Sequence, residues 1–192
     1  MQNKTRPSKK EAEEAVRTLI RYIGDNTERD DLKNTPTRVI KSFEEFFSGY
    51  NPEGKLEEVA KTFKKTKDYN GMVLLKDIRY ESYCEHHFAP IIGVAHIAYI
   101  PDEKIIGLSK LARIIDLFSK RLTIQERVVM QAASLLEEIV QPLGVAVFIE
   151  ANHNCLSTRG AHKTGANMIT EHYTGVFNTN SAEKMHFLKL VK

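Results

Sequence analysis

The strongest constraint on this chain is the way its hydrophobic period changes after Gly71. Met72–Tyr80 and Ile91–Ile100 carry the apolar, β-branched and aromatic residues of strands, with a short polar segment between them. Leu111, Ile114, Ile115 and Phe118 then recur at helical spacing, with Ser109 placed to cap their helix. Thr123 and Glu126 have the spacing of a capping box, which opens a long helix through Val140, ended by Pro142 and Gly144. Val145–Glu150 returns to a β-branched run, a further strand is expected within Met168–Phe177, and Asn180-Ser181 starts a last helix. Strand, strand, helix, helix, strand, strand is an α+β order. It predicts an antiparallel four-stranded sheet packed against two long helices.

The segment before Gly71 reads as a helical appendage. Residues 1–7 form a polar tail, and Ser8 with Glu11 makes a capping box for a helix carrying Ala12, Ala15, Val16, Leu19, Ile20 and Ile23. Thr35-Pro36 opens a second helix with Val39, Ile40, Phe43, Phe46 and Phe47 on one side. Leu56, Val59, Ala60 and Phe63 suggest a third. The expected division is therefore a tail at 1–7, a helical region at 8–70 and a main domain at 71–192.

Charge excludes one broad class. The 28 basic and 25 acidic residues give +3, but Lys4, Arg6, Lys9 and Lys10 fall in the first ten positions, which hold no acid. Without those ten the balance is 24 to 25, so a phosphate-tracking nucleic-acid binder is not expected. The longest mainly apolar run, Ile91–Ile100, contains His96 and is far below the roughly 20 residues of a membrane span. No apolar stretch follows the basic N-terminus as in an export signal. The expected location is the cytoplasm, where the two cysteines would stay reduced.

Cys84-Glu85-His86-His87 is the densest cluster of reactive side chains. Cys84 and His87 can reach one cation from a tight turn, and the other cysteine, Cys155, stands between His153 and Arg159 just after the third strand of the main body. Two sulfurs and one nitrogen suit zinc with a fourth position open to water. Spacing alone leaves a second reading open, namely two buried free thiols and some surface histidines. Other signatures fail. Gly160 to Gly165 has phosphate-loop glycine spacing, but Ala166-Asn167 stands where Lys-Ser/Thr is required. There is no Gly-x-Ser-x-Gly elbow and no zinc-deaminase motif.

Several segments in order resemble GTP cyclohydrolase I: Thr-Pro-Thr-Arg-Val (35–39), Cys-Glu-His-His-Phe (84–88), His-Ile-Ala-Tyr-Ile-Pro (96–101), Gly-Leu-Ser-Lys-Leu-Ala-Arg (107–113), Gln-Glu-Arg (125–127) and His-Asn-Cys-Leu-Ser-Thr-Arg-Gly (153–160). The resemblance runs from about residue 8 to the C-terminus. It implies the tunnelling fold, and hydrolysis of GTP to 7,8-dihydroneopterin triphosphate and formate. It also implies Zn2+ on Cys84, His87 and Cys155, with water activated for attack at C8 of guanine.

The same resemblance makes His86 and His153 acid–base residues and sets Ser109 near the ribose. Glu126 would accept the two parallel N–H donors of guanine, with Gln125 beside it; as part of a capping box, Glu126 could instead serve its helix. Lys110, Arg113, Arg159, Arg38 and Lys41 would take the triphosphate, although each could equally be a solvated charge. A homodecamer of two pentameric rings with shared active sites is implied, with GTP as partner and no nucleic acid or membrane. The chain departs from the family pattern at 165–170, where Thr170 is kept but Ala166 and Met168 replace hydroxyls. That departure motivates one competing expectation, a non-catalytic purine- or pterin-binding ring. A separate one is a related tunnelling-fold enzyme acting on another pterin or deazapurine, against which the paired histidines and the second-cysteine motif argue.

Overall fold

A computed structural model describes residues 6–51 and 55–192, in two compact units, Met1–Ser48 and Gly49–Lys192. Most of the tail expected at 1–7 lies outside the described residues.

In the first unit, α1 (Lys9–Tyr22) begins at the expected capping box. The Ser8 side chain accepts from Glu11 N, and Ser8 N donates to Glu11 Oε2 at 2.8 Å. These bonds satisfy amides that the first helical turn leaves unpaired. Helix α2 (Thr35–Phe46) starts at Thr35 with Pro36 in its first turn, and Lys9 pairs with Glu44 across the two helices.

In the second unit, the third helix is shorter than its apolar spacing suggests. Helix α3 covers only Lys55–Val59. Phe63 instead lies on a strand, β1 (Thr62–Lys64), because pairing with β4 (Lys104–Ile106) draws that segment into an extended conformation.

The main sheet contains β2 (Val73–Cys84), β3 (Pro90–Ile100), β5 (Leu122–Thr123), β6 (Gly144–His153) and β7 (Asn167–Tyr173). Its order is β5-β2-β3-β6-β7. The four long strands pair antiparallel, and the two-residue β5 lies parallel to the end of β2. That fifth strand was not expected. The first strand also runs four residues past Tyr80, because Glu81, Ser82 and Tyr83 pair with Ile92, Ile91 and Pro90. Register with β3 carries the polar residues along and delivers Cys84 to the strand end.

Alternation along β3 sends Ile97 and Tyr99 to one face and Ala98 and Ile100 to the other. The first face packs beneath α4 (Leu108–Ser119) and α5 (Gln125–Val140), which contribute Leu111, Ile114, Ile115, Val128, Ala132 and Leu136. The second packs with Phe177 of α7 (Val176–Thr179) and Phe187 of α8 (Ser181–Val191). Strands covered on both sides explain the nearly continuous apolar runs at 95–100 and 145–149.

Two expected caps are absent. Ser109 lies inside α4, whose N-cap is Gly107. Thr123 belongs to β5, so α5 starts after Ile124 without a side-chain cap, and Thr123 Oγ1 donates to Ile124 O at 3.3 Å. The sheet bond of Thr123 replaces the capping box, which frees Glu126 from that duty.

Candidate metal centre and active site

The Cys84 turn is built by its backbone. Phe88 N donates to Cys84 O at 2.9 Å, Cys84 N donates to Ala89 O at 2.9 Å, and Phe88 adopts φ of 55° to close the loop. This tight reversal brings His86 Nδ1 and His87 Nδ1 each to 3.7 Å from Cys84 Sγ. Antiparallel pairing of Ile91 with His153 brings the end of β6 beside the same turn. The next element, α6 (Asn154–Ser157), carries Cys155. As a result, ligand atoms of Cys84, His87 and Cys155 lie within 4.8 Å of one another, with Cys84 buried and His87 exposed. This group could hold a metal ion. Burial, together with the neighbouring Cys84, holds the Cys155 thiol above its ordinary value, and the Arg159 charge works in the other direction.

His153 Nε2 lies 3.0 Å from Gln125 Oε1. Burial depresses the His153 imidazole, and the Glu126 charge opposes that depression, so this carboxylate acts on the same histidine. Glu126 is exposed in the first turn of α5. Its neighbour Gln125 is wholly buried, and its amide nitrogen donates to Ile149 O, Met168 O and Thr170 Oγ1. Gln125 therefore differs from the expectation of a residue lying against a base: helical geometry turns consecutive side chains about 100° apart, and Gln125 points into the core.

Arg127 adds a link that motif reading missed. Its guanidinium is paired with Glu85 at 2.7 Å and holds that carboxyl below the usual range. On α4, Ser109 and Arg113 are exposed and Lys110 is half-buried. Lys110 Nζ donates to Glu58 O, and Arg113 pairs with the Glu58 carboxylate. Lys110 and Arg113 thus share one face, as their spacing predicts, but Glu58 meets both. Arg159 is exposed beyond α6. Arg38 and Lys41 are exposed, three apart on α2 in the first unit. The contacts of Glu58 and Thr170 had no signal in sequence, since each joins segments more than 40 residues apart.

A family model for GTP cyclohydrolase I matches residues 12–192. GTP cyclohydrolase 1 of Maricaulis maris is 46% identical over 188 residues, covering 98% of this chain and 91% of that protein. GTP cyclohydrolase 1 of Sinorhizobium fredii is 46% identical over 187 residues, covering 97% and 91%. Among solved structures, the apo archaeosine synthase QueF-Like is similar at TM-score 0.47 and 18% identity, over 56% of this chain and 97% of that one. With the match extending from α1 through every segment that builds the Cys84–His87–Cys155 group, the chain belongs to the GTP cyclohydrolase I family.

Proposed function

We propose that the chain hydrolyses GTP to 7,8-dihydroneopterin triphosphate and formate with a zinc ion held by Cys84, His87 and Cys155. The observation that carries this reading is the convergence of those three ligand atoms beside His153 and Glu126. The donor set fits zinc: bonds of about 2.3 Å to sulfur and about 2.0 Å to nitrogen place tetrahedral neighbours roughly 3.5 Å apart. Cys84 Sγ and His87 Nδ1 lie 3.7 Å apart. When bound, zinc supplies the Lewis acidity that makes water nucleophilic near neutral pH.

The remaining work falls to side chains. Opening the guanine imidazole ring, releasing formate and rearranging the ribose all require repeated proton transfers, which suit the imidazoles of His86 and His153. Glu126, free of a capping bond, can accept from both N1–H and the exocyclic amine of guanine. Ser109 is assigned to the ribose. Lys110, Arg113 and Arg159 are assigned to the triphosphate, whose several negative charges call for clustered cations; the assignment of Arg38 and Lys41 rests on the family resemblance alone. Gln125 is assigned to the support of His153 instead of the base.

The hydroxyl replacements at 166 and 168 leave intact two contacts made there by the backbone. Ala166 O accepts from Asn152 Nδ2, and Met168 O accepts from Gln125 Nε2. A side-chain change leaves both carbonyls in place.

We extend the reading to a tunnelling-fold homodecamer of two pentamers with shared active sites, and to a cytoplasmic location. Residues 8–70 are read as an N-terminal region, mostly helical where described but with the strand β1, and 71–192 as the part that carries the Cys84–His87–Cys155 group. Among the described residues, no helix is long and apolar enough to cross a membrane. The deciding experiment is incubation of zinc-loaded protein with GTP. One formate per GTP, with a product that fluoresces after oxidation, is expected; an absence of formate overturns the reading.

A further inference from the structure

Carboxamide orientation is often ambiguous, because nitrogen and oxygen look alike. At Gln125 the surroundings decide it. One end of the amide faces Ile149 O and Met168 O at 3.1 Å each and Thr170 Oγ1 at 3.0 Å. Two of those three are carbonyl oxygens, which only accept. Placing Oε1 there would set oxygen against oxygen at a fully buried position where no water can intervene. Nε2 must therefore face them, and Oε1 must face His153 Nε2 at 3.0 Å. An amide oxygen has no proton to give, so the hydrogen of this bond belongs to His153 Nε2.

We propose that Gln125 is a positioning residue that fixes the ring of His153 and holds it as the neutral Nε2–H tautomer, leaving Nδ1 as the ring's open acceptor. The proposal rests on His153 serving the reaction assigned above. Among the described residues Nδ1 makes no hydrogen bond. Thr170 acts one step further back. It lies on β7 opposite Ile149, and its hydroxyl oxygen completes the acceptor set that orients the amide. That gives a reason for the one hydroxyl kept in a stretch where Ala166 and Met168 stand.

The test is a solid-state 15N spectrum of the zinc-loaded enzyme with ring-labelled histidine, with the His153 signals identified by their loss in His153→Asn. Protonated Nε2 with bare Nδ1 is expected; bare Nε2 with protonated Nδ1 overturns the proposal. In Gln125→Met the His153 signals should move towards a mixture of tautomers. Its kcat for formate release should fall about 100-fold, with KM for GTP changed by less than about twofold and bound zinc unchanged. Unaltered tautomer and kcat would also overturn it. Should Gln125→Met fail to fold, Thr170→Val and Thr170→Ser carry the test. The valine variant should lose kcat by a smaller factor and serine should restore it, whereas equal loss in both or in neither counts against the proposal. A wild-type enzyme that released no formate would remove the functional reading, while the spectrum would still judge the tautomer.

Discussion

Arg127 and Glu85, 42 residues apart in sequence, form an ion pair with Arg127 Nη1 2.7 Å from Glu85 Oε2. Glu85 N also donates to Thr123 O at 3.3 Å. The turn that carries Cys84 and His87 is thereby tied, by side chain and by backbone, to the start of the helix bearing Gln125 and Glu126.

Because the pair is exposed, its removal should hardly alter thermal stability. Its effect should appear in metal binding by the Cys84–His87–Cys155 group. Arg127→Ala should weaken zinc retention against a competing chelator by about tenfold to 100-fold, as for other groups that orient ligands from behind. Retention equal to wild type would show that the turn holds its own geometry.

Cys155→Ser removes one sulfur from the three-ligand group. The variant should keep its fold, since Cys155 sits at the edge of the core, yet lose most bound zinc and nearly all formate release. Metal analysis together with the formate assay checks both halves, and full zinc with full rate would show the ligand assignment wrong.

Glu58 competes for the cations assigned to the triphosphate, through its carboxylate on Arg113 and its carbonyl on Lys110. Glu58→Gln removes the charge and leaves the carbonyl. An exposed pair of this kind is worth enough to lower KM for GTP by about twofold to fivefold. Steady-state kinetics at low and high salt would measure it; a raised KM would mean that Glu58 orients the cations instead of masking them.

Gly93 of β3 lies opposite Ala151 of β6 with no room for a side chain. A Cβ there would lie 2.0 Å from Glu150 O and 2.5 Å from Ala151 Cα. Both obstacles are backbone, so the strands must part. Gly93→Ala should cost about 1–3 kcal/mol of stability, as overpacked core sites do, and denaturant unfolding would show a lower midpoint. Because Gly93 pairs with Ala151 just before His153, zinc binding should weaken as well.

His96 gives an acid-side dependence away from the metal. Its ring is buried, and Nδ1 accepts from Asp77 N at 3.2 Å. Burial depresses its pKa below the ordinary 6.5; Asp77 and Glu150 oppose that shift, and Lys76 adds to it. The unfolded chain therefore binds more protons than the folded one just below pH 6.5, so stability falls as pH drops through that window. His96→Gln should flatten this part of the curve in urea unfolding measured between pH 7 and pH 5. An unchanged slope would place the dependence elsewhere.

Much of this was legible in the residues themselves. The helical spacing of Leu111, Ile114 and Ile115, the capping box at Ser8 and the β-branched runs all act over a few neighbours, and each element formed where that local pattern put it. The motif around Cys84 likewise pointed to a group that could hold a metal ion, because ligand chemistry is a property of residue type. Thr123 failed as a cap for the opposite reason. A hydroxyl four residues from the end of one pattern looks the same in sequence whether its backbone turns into a helix or pairs with a distant strand.

What sequence determined by itself was the set of elements and the identity of the reactive groups: two cysteines, the histidine pair, and cations spaced for one helix face. Tertiary structure alone decided which of these meet. Cys84 and Cys155, 71 residues apart, converge because β3 pairs with both β2 and β6. Gln125 faces the core and Glu126 the open side because β5 sets where α5 begins. The physical reason is that hydrogen-bonded register between strands joins residues of any sequence separation, whereas propensity and capping act only across a turn or two.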